Sequence, residues 1–586
     1  WRAALNGVLN GTMPEGARQE LYLSVGVTGH RDLLPGEIPG IEKRLTDFFR
    51  GLQHDFPDLP LQLITPLAEG GDQVAAEVAL SLGISIVAVL PMVQVEYERD
   101  FSSPAELENF RRLLGLSDEI IVLPPVAGDL ETPYSKHERA LQYSQLGVFT
   151  SDHCQILLAI WDGKQGEHIG GTGNVVKYHL SGVMDGLEGD PTPAGLLADN
   201  ENDLVHHIVC SRDRPGGAPA GDLEPGEAAW FSSRPEVDRS DSLPGIYGNL
   251  LENLQRFAKD RNEKPVVIER NSSSLLANAP ELERPTGVEL TDRLFRVADG
   301  LAIHYQARVI GSLRTLHVLA VLMGLVFLVY SEFDGSPWMI LVFLGLFFGG
   351  VSLYIIGGSH EWHRKYLDYR ALAEGLRVQL YWNLSGVVEK KWAGFAYDNF
   401  LLKQDAELGW IRHVMRQASM YRERGEEPDP AWLPWAVGEW IGSSDNGRGQ
   451  LNYYARNETR NMQRFRRTQR LGTLCLWVGI GTAVVLFLTS SVASENQRNL
   501  LLVLMGVMPL IAGVWDAYAH KKAEKELIRQ YGFMRRVFAK ARMLLDGNES
   551  PAFQRQVLQA LGQAALDEDA EWLLMHRERP LEHGRL

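Results

Sequence analysis

The feature that most constrains this chain is a set of four apolar runs in its second half that contain no Asp, Glu, Lys or Arg. They cover residues 315–331, 338–358, 471–494 and 500–515. Because about 20 helical residues cross the hydrocarbon core of a bilayer, the second and third runs are long enough, and the other two need about one further turn. Buried core helices of a soluble protein are the alternative, but the runs come as two close pairs with sharply charged edges. The sequence therefore predicts two membrane hairpins.

The basic residues around these runs predict their orientation. The short loop inside each pair carries acidic residues and at most one arginine, whereas the outer flanks are basic. Because Lys and Arg accumulate on the cytoplasmic side, we expect a multi-pass protein of the bacterial inner membrane with both termini in the cytoplasm. Glu332 and Asp334 in the first outer loop, and Asp516 near the inner boundary, are then candidates for lining a pore.

A charged stretch after the first hairpin has the spacing of an amphipathic helix. It reads K-Y-L-D-Y-R-A-L-A-E-G-L-R-V-Q-L-Y-W over residues 365–382. This stretch resembles the SLATT domains, which are two-helix membrane modules found beside nucleotide-sensing domains in bacterial conflict systems. The resemblance covers residues 294–385 and, more loosely, 451–546, where Tyr531, Arg535 and Arg536 remain of the motif.

The first half of the chain has a different pattern, in which short β-branched runs alternate with segments of helix length. Such alternation is typical of βαβ units, which build a parallel sheet covered on both faces. The sequence predicts helices over 37–55 and 73–82, and strands over 22–27, 62–66, 85–90, 119–123, 155–161 and 204–210.

Three of the predicted strands end in glycine-rich turns. Ligands of such sheets bind off the carboxyl ends of the strands. Glycine lets the backbone approach a ligand, and the free N–H groups at a helix N-terminus attract phosphate. The sequence therefore predicts a binding site made of three clusters. They are Gly26, Thr28, Gly29, His30 and Arg31; Glu69, Gly70, Gly71 and Asp72; and Asp162, Gly163, Gly170, Gly171, Thr172, Gly173 and Asn174.

These turns resemble those of the SLOG superfamily, which includes the cytokinin-activating LOG enzymes and the DNA-processing protein A family. G-V-T-G-H-R at 26–31 is similar to the first strand-turn of that fold, and L-A-E-G-G-D-Q-V-A-A-E at 67–77 to the second. I-G-G-T-G-N-V-V at 169–176 is similar to the phosphate loop. The resemblance covers residues 21–210. It implies an α/β doubly wound, Rossmann-like domain with a nucleotide ligand.

The resemblance also has a departure that bears on catalysis. LOG-type hydrolases carry a glutamate in the phosphate loop, whereas Val176 and Lys177 stand near that position here, and Ile169 replaces a proline. Glu69 and Asp72 are the carboxylates that could substitute. We therefore expect ligand binding without turnover, and no residue is assigned a catalytic role.

The resulting architecture has five parts. They are a SLOG-like domain at 1–270, a linker at 271–300, a first SLATT-like hairpin at 301–385, a connecting segment at 386–450, and a second hairpin with C-terminal helices at 451–586. The resemblances imply a homo-oligomeric membrane effector in antiviral defence. Its expected partners are the lipid bilayer and a nucleotide second messenger, ADP-ribose-like or cyclic, made by a separate enzyme. No cofactor or metal is expected.

Two other functions are compatible with parts of the sequence. A membrane-anchored nucleotide or NAD glycosidase would use the same domain to release ribose. A handler of single-stranded DNA is disfavoured, because the chain has a net charge of −16 and lacks a basic and aromatic stripe. We therefore expect no nucleic-acid partner. The adjacent His206 and His207 point to opposite sides of a strand, which argues against a metal site there.

Overall fold

The computed structural model describes residues 21–126, 134–165, 169–184, 186–187, 202–333, 335–387, 406–421, 428–442, 447–547 and 550–577. One predicted pore residue, Asp334, lies outside this part of the chain.

A seven-stranded sheet organises the first half of the chain. Its strands are β1 (Leu23–Gly29), β2 (Leu61–Thr65), β3 (Ser85–Leu90), β4 (Glu119–Val122), β5 (Ile156–Trp161), β6 (Val205–Val209) and β7 (Ala228–Phe231). The strand order is β4-β3-β2-β1-β5-β6-β7, and all neighbours are parallel except β6 and β7. All six predicted strands are confirmed. The short antiparallel edge strand β7 was not predicted.

Helices cover both faces of the sheet, as the alternation in the sequence predicts. They are α1 (Ile38–Asp55), α2 (Gly71–Ser81), α3 (Gln94–Tyr97), α4 (Pro104–Leu116), α5 (Lys136–His153) and α6 (Thr172–Ser181). In α1 the buried residues recur every three or four positions, and the Phe48 ring stacks 4.4 Å from the His206 ring of β6. Successive residues of β3, such as Ile86 and Val87, belong to separate buried clusters on the two faces. The α/β prediction is confirmed at this level.

The rest of the described chain is helical. Its helices are α7 (Gly245–Glu263), α8 (Pro265–Asn271), α9 (Val288–Glu332), α10 (Pro337–Ser359), α11 (Trp362–Ser385), α12 (Gly409–Ser419), α13 (Trp432–Ala436, continued by a π-helix, Val437–Ile441), α14 (Gly449–Thr489), α15 (Glu495–Lys521), α16 (Glu524–Asp546) and α17 (Pro551–Arg577).

Four of these helices, α9, α10, α14 and α15, are long and apolar enough to cross a membrane. Their apolar stretches bury little surface within the chain, which suits a lipid environment. Glycines mediate the close packing between them. Gly324 of α9 packs on Leu510, Gly506 of α15 packs on Leu328, and a Cβ at Gly479 of α14 would lie 3.1 Å from Pro509. The chain is therefore a membrane protein by the length and composition of its helices.

The sheet and the helical part share one buried core. The same cluster contains Leu23 of β1, Phe257 of α7, Leu301 of α9, Leu376 of α11 and Leu561 of α17. Helix α9 begins at residue 288, inside the segment 271–300 that the sequence assigned to a linker, and its first turns are buried. The N-terminal part of α9, up to Leu313, is thus part of the folded core. Its C-terminal part is the apolar stretch, which is little buried within the chain.

Candidate functional site

The three glycine-rich turns meet at Gly29, the last residue of β1. A Cβ added to Gly29 would lie 2.8 Å from the Cα of Gly71, so the first and second turns are in backbone contact. The Thr172 hydroxyl donates a hydrogen bond to the Gly29 carbonyl at 3.1 Å, which brings in the third turn. The sequence placed these turns at one sheet edge, and the structure brings them into direct contact.

Gly70 is required by this close approach. Its φ of +79° is in the region that favours glycine, and an added Cβ would collide with the backbone carbonyls of His30 and Arg31. The next residue, Gly71, donates its N–H to the His30 carbonyl at 3.0 Å. The backbone of the second turn is therefore locked to that of the first.

The order of the strands points to the same place. Strands β2, β3 and β4 follow β1 on one side, and the chain then crosses to β5 on the other side. The crevice at such a reversal is where open α/β sheets bind ligands. It lies between the carboxyl ends of β1 and β5, next to Gly29.

A histidine and an aspartate face each other across this reversal. His30 Nε2 lies 3.1 Å from Asp162 Oδ1, and both side chains are buried. Burial lowers the pKa of His30, although Asp162 opposes this, so the imidazole is neutral. Burial also disfavours ionised Asp162, but the Lys164 N–H donates to it at 3.0 Å and holds its pKa below the ordinary value. The pair is a neutral imidazole beside a carboxylate.

The N-terminus of α6 points its first turn toward this region. Gly171 is the N-cap residue, with an ordinary φ of −78°, and no side chain among the described residues caps the helix. Because glycine carries no side-chain oxygen, it cannot accept a hydrogen bond from the first turn of the helix as serine or aspartate would. Gly173 and Asn174 follow in the buried first turn. This arrangement suits an anion.

Asp72, the second residue of α2, is the most perturbed acid of the predicted site. It is 4% exposed, and burial raises its pKa to about 8. Its Oδ1 has no hydrogen-bond partner among the described residues. Asp72 is therefore largely protonated at neutral pH and adds little negative charge to the crevice.

Arg31 is held in place by residues that the sequence did not single out. Its guanidinium donates to the Tyr143 hydroxyl at 3.1 Å and to the Asp100 carbonyl at 3.3 Å. The Tyr143 hydroxyl donates in turn to Asp100 Oδ2 at 2.6 Å. Arg31 itself remains exposed. Asp100 lies beyond α3, ten residues after the end of β3, and Tyr143 lies on α5, so no local signal at a strand end marks either residue.

Several predicted residues have structural roles here. A Cβ at Gly26 would lie 2.8 Å from Thr150 of α5, and one at Gly170 would lie 2.7 Å from the Tyr143 Cβ, so both glycines allow helix packing. The loop 211–226 folds over the end of β5, and a Cβ at Gly163 would lie 2.5 Å from Leu223 of that loop. Glu69 accepts a hydrogen bond from the Ser102 N–H. Thr28 is half-buried at the end of β1.

The two described pore candidates lie far apart. Glu332 is the last residue of α9. Asp516 is exposed on α15, two residues before Tyr518, whose ring is 5.3 Å from the His317 ring near the other end of the α9 apolar stretch. The two acids therefore lie at opposite ends of the antiparallel helices and do not form one cluster.

Among the described residues, no group of three or more His, Cys, Asp and Glu side chains could hold a metal ion. Comparison of the chain with protein-family models and with curated proteins found no match.

Proposed function

We propose that the protein is a nucleotide-gated membrane effector. In this proposal a SLOG-like, Rossmann-like domain binds a nucleotide-derived signal, and SLATT-like hairpins form an oligomeric pore in the bacterial inner membrane as part of antiviral defence. The observation that carries the proposal is the convergence of three glycine-rich turns at Gly29, beside the uncapped N-terminus of α6.

The crevice offers separate groups for the parts of a nucleotide. The first turn of α6 would take a phosphate on its N–H groups, and Thr172 stands beside it. Arg31 is exposed nearby and can add a charge-assisted hydrogen bond. Oδ2 of Asp162 has no hydrogen-bond partner among the described residues. This ionised carboxylate could therefore accept a hydrogen bond from a ribose hydroxyl. The protonated state of Asp72 reduces repulsion of the phosphate.

A chain of packed helices leads from the crevice to the membrane. Helix α6 ends near His179, whose ring contacts Ser151 of α5 at 2.7 Å. Helix α5 packs on α12, and Gln379 of α11 donates to the Met415 carbonyl of α12 at 2.9 Å. Helix α11 follows the membrane helix α10 after a two-residue break at His360 and Glu361. Movement of α6 on ligand binding would therefore reach α10 through rigid elements.

A second connection is a buried cluster around Asp260 of α7. Its carboxylate accepts hydrogen bonds from Tyr305 of α9 at 2.8 Å and from Tyr369 of α11 at 2.7 Å. Lys264 and Lys365 lie 2.6 and 2.9 Å from the same carboxylate. Helices α9 and α11 are thus tied to one residue of the core, which would make them move together.

Binding can shift a conformational equilibrium only by the difference in ligand affinity between its two states. Four membrane helices enclose no wide pore alone, so the proposed pore needs several protomers related by symmetry. The state favoured by nucleotide would then be the conducting assembly.

A glycosidase is the second candidate, because Asp72 has an unpartnered oxygen beside the crevice. Stabilising a ribosyl cation requires an ionised carboxylate. Burial raises the pKa of Asp72 to about 8, and the Glu69 carboxylate already accepts a hydrogen bond from the Ser102 N–H. Neither acid is well suited to the reaction at neutral pH, and binding without turnover is therefore favoured.

The test is to titrate the purified full chain with ADP-ribose and with cyclic nucleotides by calorimetry, and then to analyse the ligand by chromatography. We expect binding and unchanged ligand. Gly171→Val should weaken binding about tenfold or more, about 1.4 kcal/mol, because a branched side chain enters the space of the phosphate. The matched control is Gly51→Val, at an exposed site of α1 with no neighbour within 4 Å, which should bind normally.

The outcomes separate the candidates. Release of ribose would favour the glycosidase. Unchanged affinity in Gly171→Val would make this loop structural and the proposed site wrong. Bilayer recordings on the same preparations test the output, since conductance that ignores bound nucleotide would contradict the coupling.

A further inference from the structure

Helix α14 carries six arginines along one side, just before its apolar stretch. All six are exposed to solvent. At 100° per residue they fall within an arc of about 160°. We call this set the arginine stripe: Arg456, Arg460, Arg464, Arg466, Arg467 and Arg470.

The other side of α14 packs against α16. Glu458 forms an ion pair with Arg535 at 2.7 Å, and the Tyr454 and Phe538 rings lie 5.5 Å apart. The Phe465 ring lies 5.7 Å from Lys525 Nζ. The stripe therefore faces away from the packed side of its own hairpin.

The arginines of the stripe have no ion-pair partner within the described part of the chain. The chain as a whole has a net charge of −16, so the stripe is a local excess of positive charge. The basic residues that follow the first hairpin are instead neutralised, since Arg364 pairs with Glu407 at 3.0 Å and Lys365 pairs with Asp260 at 2.9 Å. An unpaired, one-sided stripe calls for an external anion.

The position of the stripe identifies which anion it can reach. The apolar run begins at Leu471. With a rise of 1.5 Å per residue, the four arginines from Arg464 to Arg470 lie within about 10 Å of the run. The headgroup layer of a bilayer is about 5–8 Å thick on each side. Arg460 and Arg456 lie about 16 and 22 Å away, which is beyond that layer.

We propose that Arg464, Arg466, Arg467 and Arg470 form a binding site for the phosphate groups of anionic phospholipids. Guanidinium groups bind phosphate through two parallel hydrogen bonds and are weakly hydrated, which suits an interfacial site. The four side chains can engage more than one headgroup, because they spread over nearly two helical turns. The site is independent of the nucleotide and anchors the second hairpin at a defined depth.

The test uses the full chain in nanodiscs of phosphatidylcholine with increasing phosphatidylglycerol, and counts retained lipids by native mass spectrometry. Replacing all four arginines with glutamine should abolish the preference for phosphatidylglycerol, with a loss of about fivefold in affinity per arginine. Replacing all four with lysine should keep only part of it, because lysine retains the charge but not the two parallel hydrogen bonds. The double variant Arg466→Gln/Arg470→Gln should show about a twenty-fivefold loss and serves if the quadruple variant fails to insert.

Arg456→Gln/Arg460→Gln is the matched control, because it removes the same charge from the same side of the same helix. It should retain most of the preference, since Arg460 lies about one Debye length, about 10 Å, from the headgroups and Arg456 lies farther away. A loss as large as that of Arg466→Gln/Arg470→Gln would show that the stripe binds an extended polyanion instead. Displacement of the lipid by inorganic phosphate or glycerol phosphate at similar concentration would also overturn the proposal, because it would indicate a soluble-anion site. Equal retention of both lipids by the unaltered chain would do so as well.

Discussion

The two membrane hairpins differ most in how their charged residues are satisfied. After the first hairpin, α11 is almost entirely buried and its charges are paired inside the protein. Arg370 and Arg377 both pair with Glu374, and Arg364 and Lys365 pair with acids of the surrounding helices. Before the second hairpin, α14 buries only two residues, both within its apolar stretch, and exposes its arginines.

This difference indicates that the two hairpins, although they look like repeats, are attached to the rest of the protein in different ways. The first hairpin is attached to the core that it shares with the sheet, through Asp260 and α12. The second contacts the first through α15, and α16 after it joins the same core through Met534 and Phe538. We infer that movement of the sheet domain would act on the first hairpin through Asp260 and α12, and on the second through α15 and α16.

The largest expected effect concerns whether the hairpins cross the membrane in the same sense. Single cysteines at positions 332 and 495, in the two hairpin loops, should both react with an impermeant reagent added from the outside, whereas one at the exposed Lys540 should not. Position 365 is unsuitable as the inner position, because its side chain is only 21% exposed and labelling there would be hindered whatever the topology. Labelling of only one loop would show that the hairpins are not equivalent.

A second prediction compares two pairs of glycines. A Cβ at Gly345 or Gly349 of α10 would meet no atom within 4 Å, so these residues are free to form contacts between protomers. Gly345→Leu/Gly349→Leu should abolish conductance while the protein stays folded. Gly324→Leu/Gly506→Leu should instead lower the melting temperature, since overpacking costs about 1–3 kcal/mol per site. Normal conductance in the first variant would exclude this face of α10 from the assembly.

A third prediction compares one ion pair from each region. Asp260→Ala should destabilise the protein by about 3–5 kcal/mol, because it removes a buried carboxylate that two half-buried lysines and two buried tyrosines contact. Glu458→Ala breaks the more exposed pair with Arg535 and should cost less than about 1 kcal/mol. Thermal unfolding of the two variants measures the contrast. Similar melting temperatures would mean that the Asp260 cluster does not hold the first hairpin.

The smallest effect is expected on α17, the helix that packs against both α11 after the first hairpin and α16 after the second. Burial and the nearby Glu374 raise the pKa of Glu568 on α17 to about 7, from an ordinary value of 4.5. Since the folded chain binds this proton more tightly than the unfolded chain, stability should fall as pH rises from about 4.5 to about 7. Glu568→Gln should remove about 2 kcal/mol of that loss between about pH 5 and about pH 7. An unchanged pH dependence of the melting temperature would show that Glu568 titrates normally.

Local patterns were sufficient to predict most elements of the fold. The six predicted strands and the four membrane helices are present, because buried strands and membrane spans require continuous apolar residues. Strand β7 escaped prediction because it has four residues and follows a Pro/Gly-rich loop, where no period is long enough to detect. The glycine-rich turns were placed at one edge because parallel strands share their carboxyl ends.

The sequence by itself determined the two classes of structure, the position of the four apolar helices and the sheet edge on which the turns lie. Only the tertiary structure decided that Gly29 is the meeting point of all three turns, that Arg31 is held by Asp100 and Tyr143, and that one core joins sheet and helices. It also decided which charges are paired. Apolar periodicity is a local property of the chain, whereas ion pairs and close backbone contacts depend on residues that are distant in sequence and brought together only by packing.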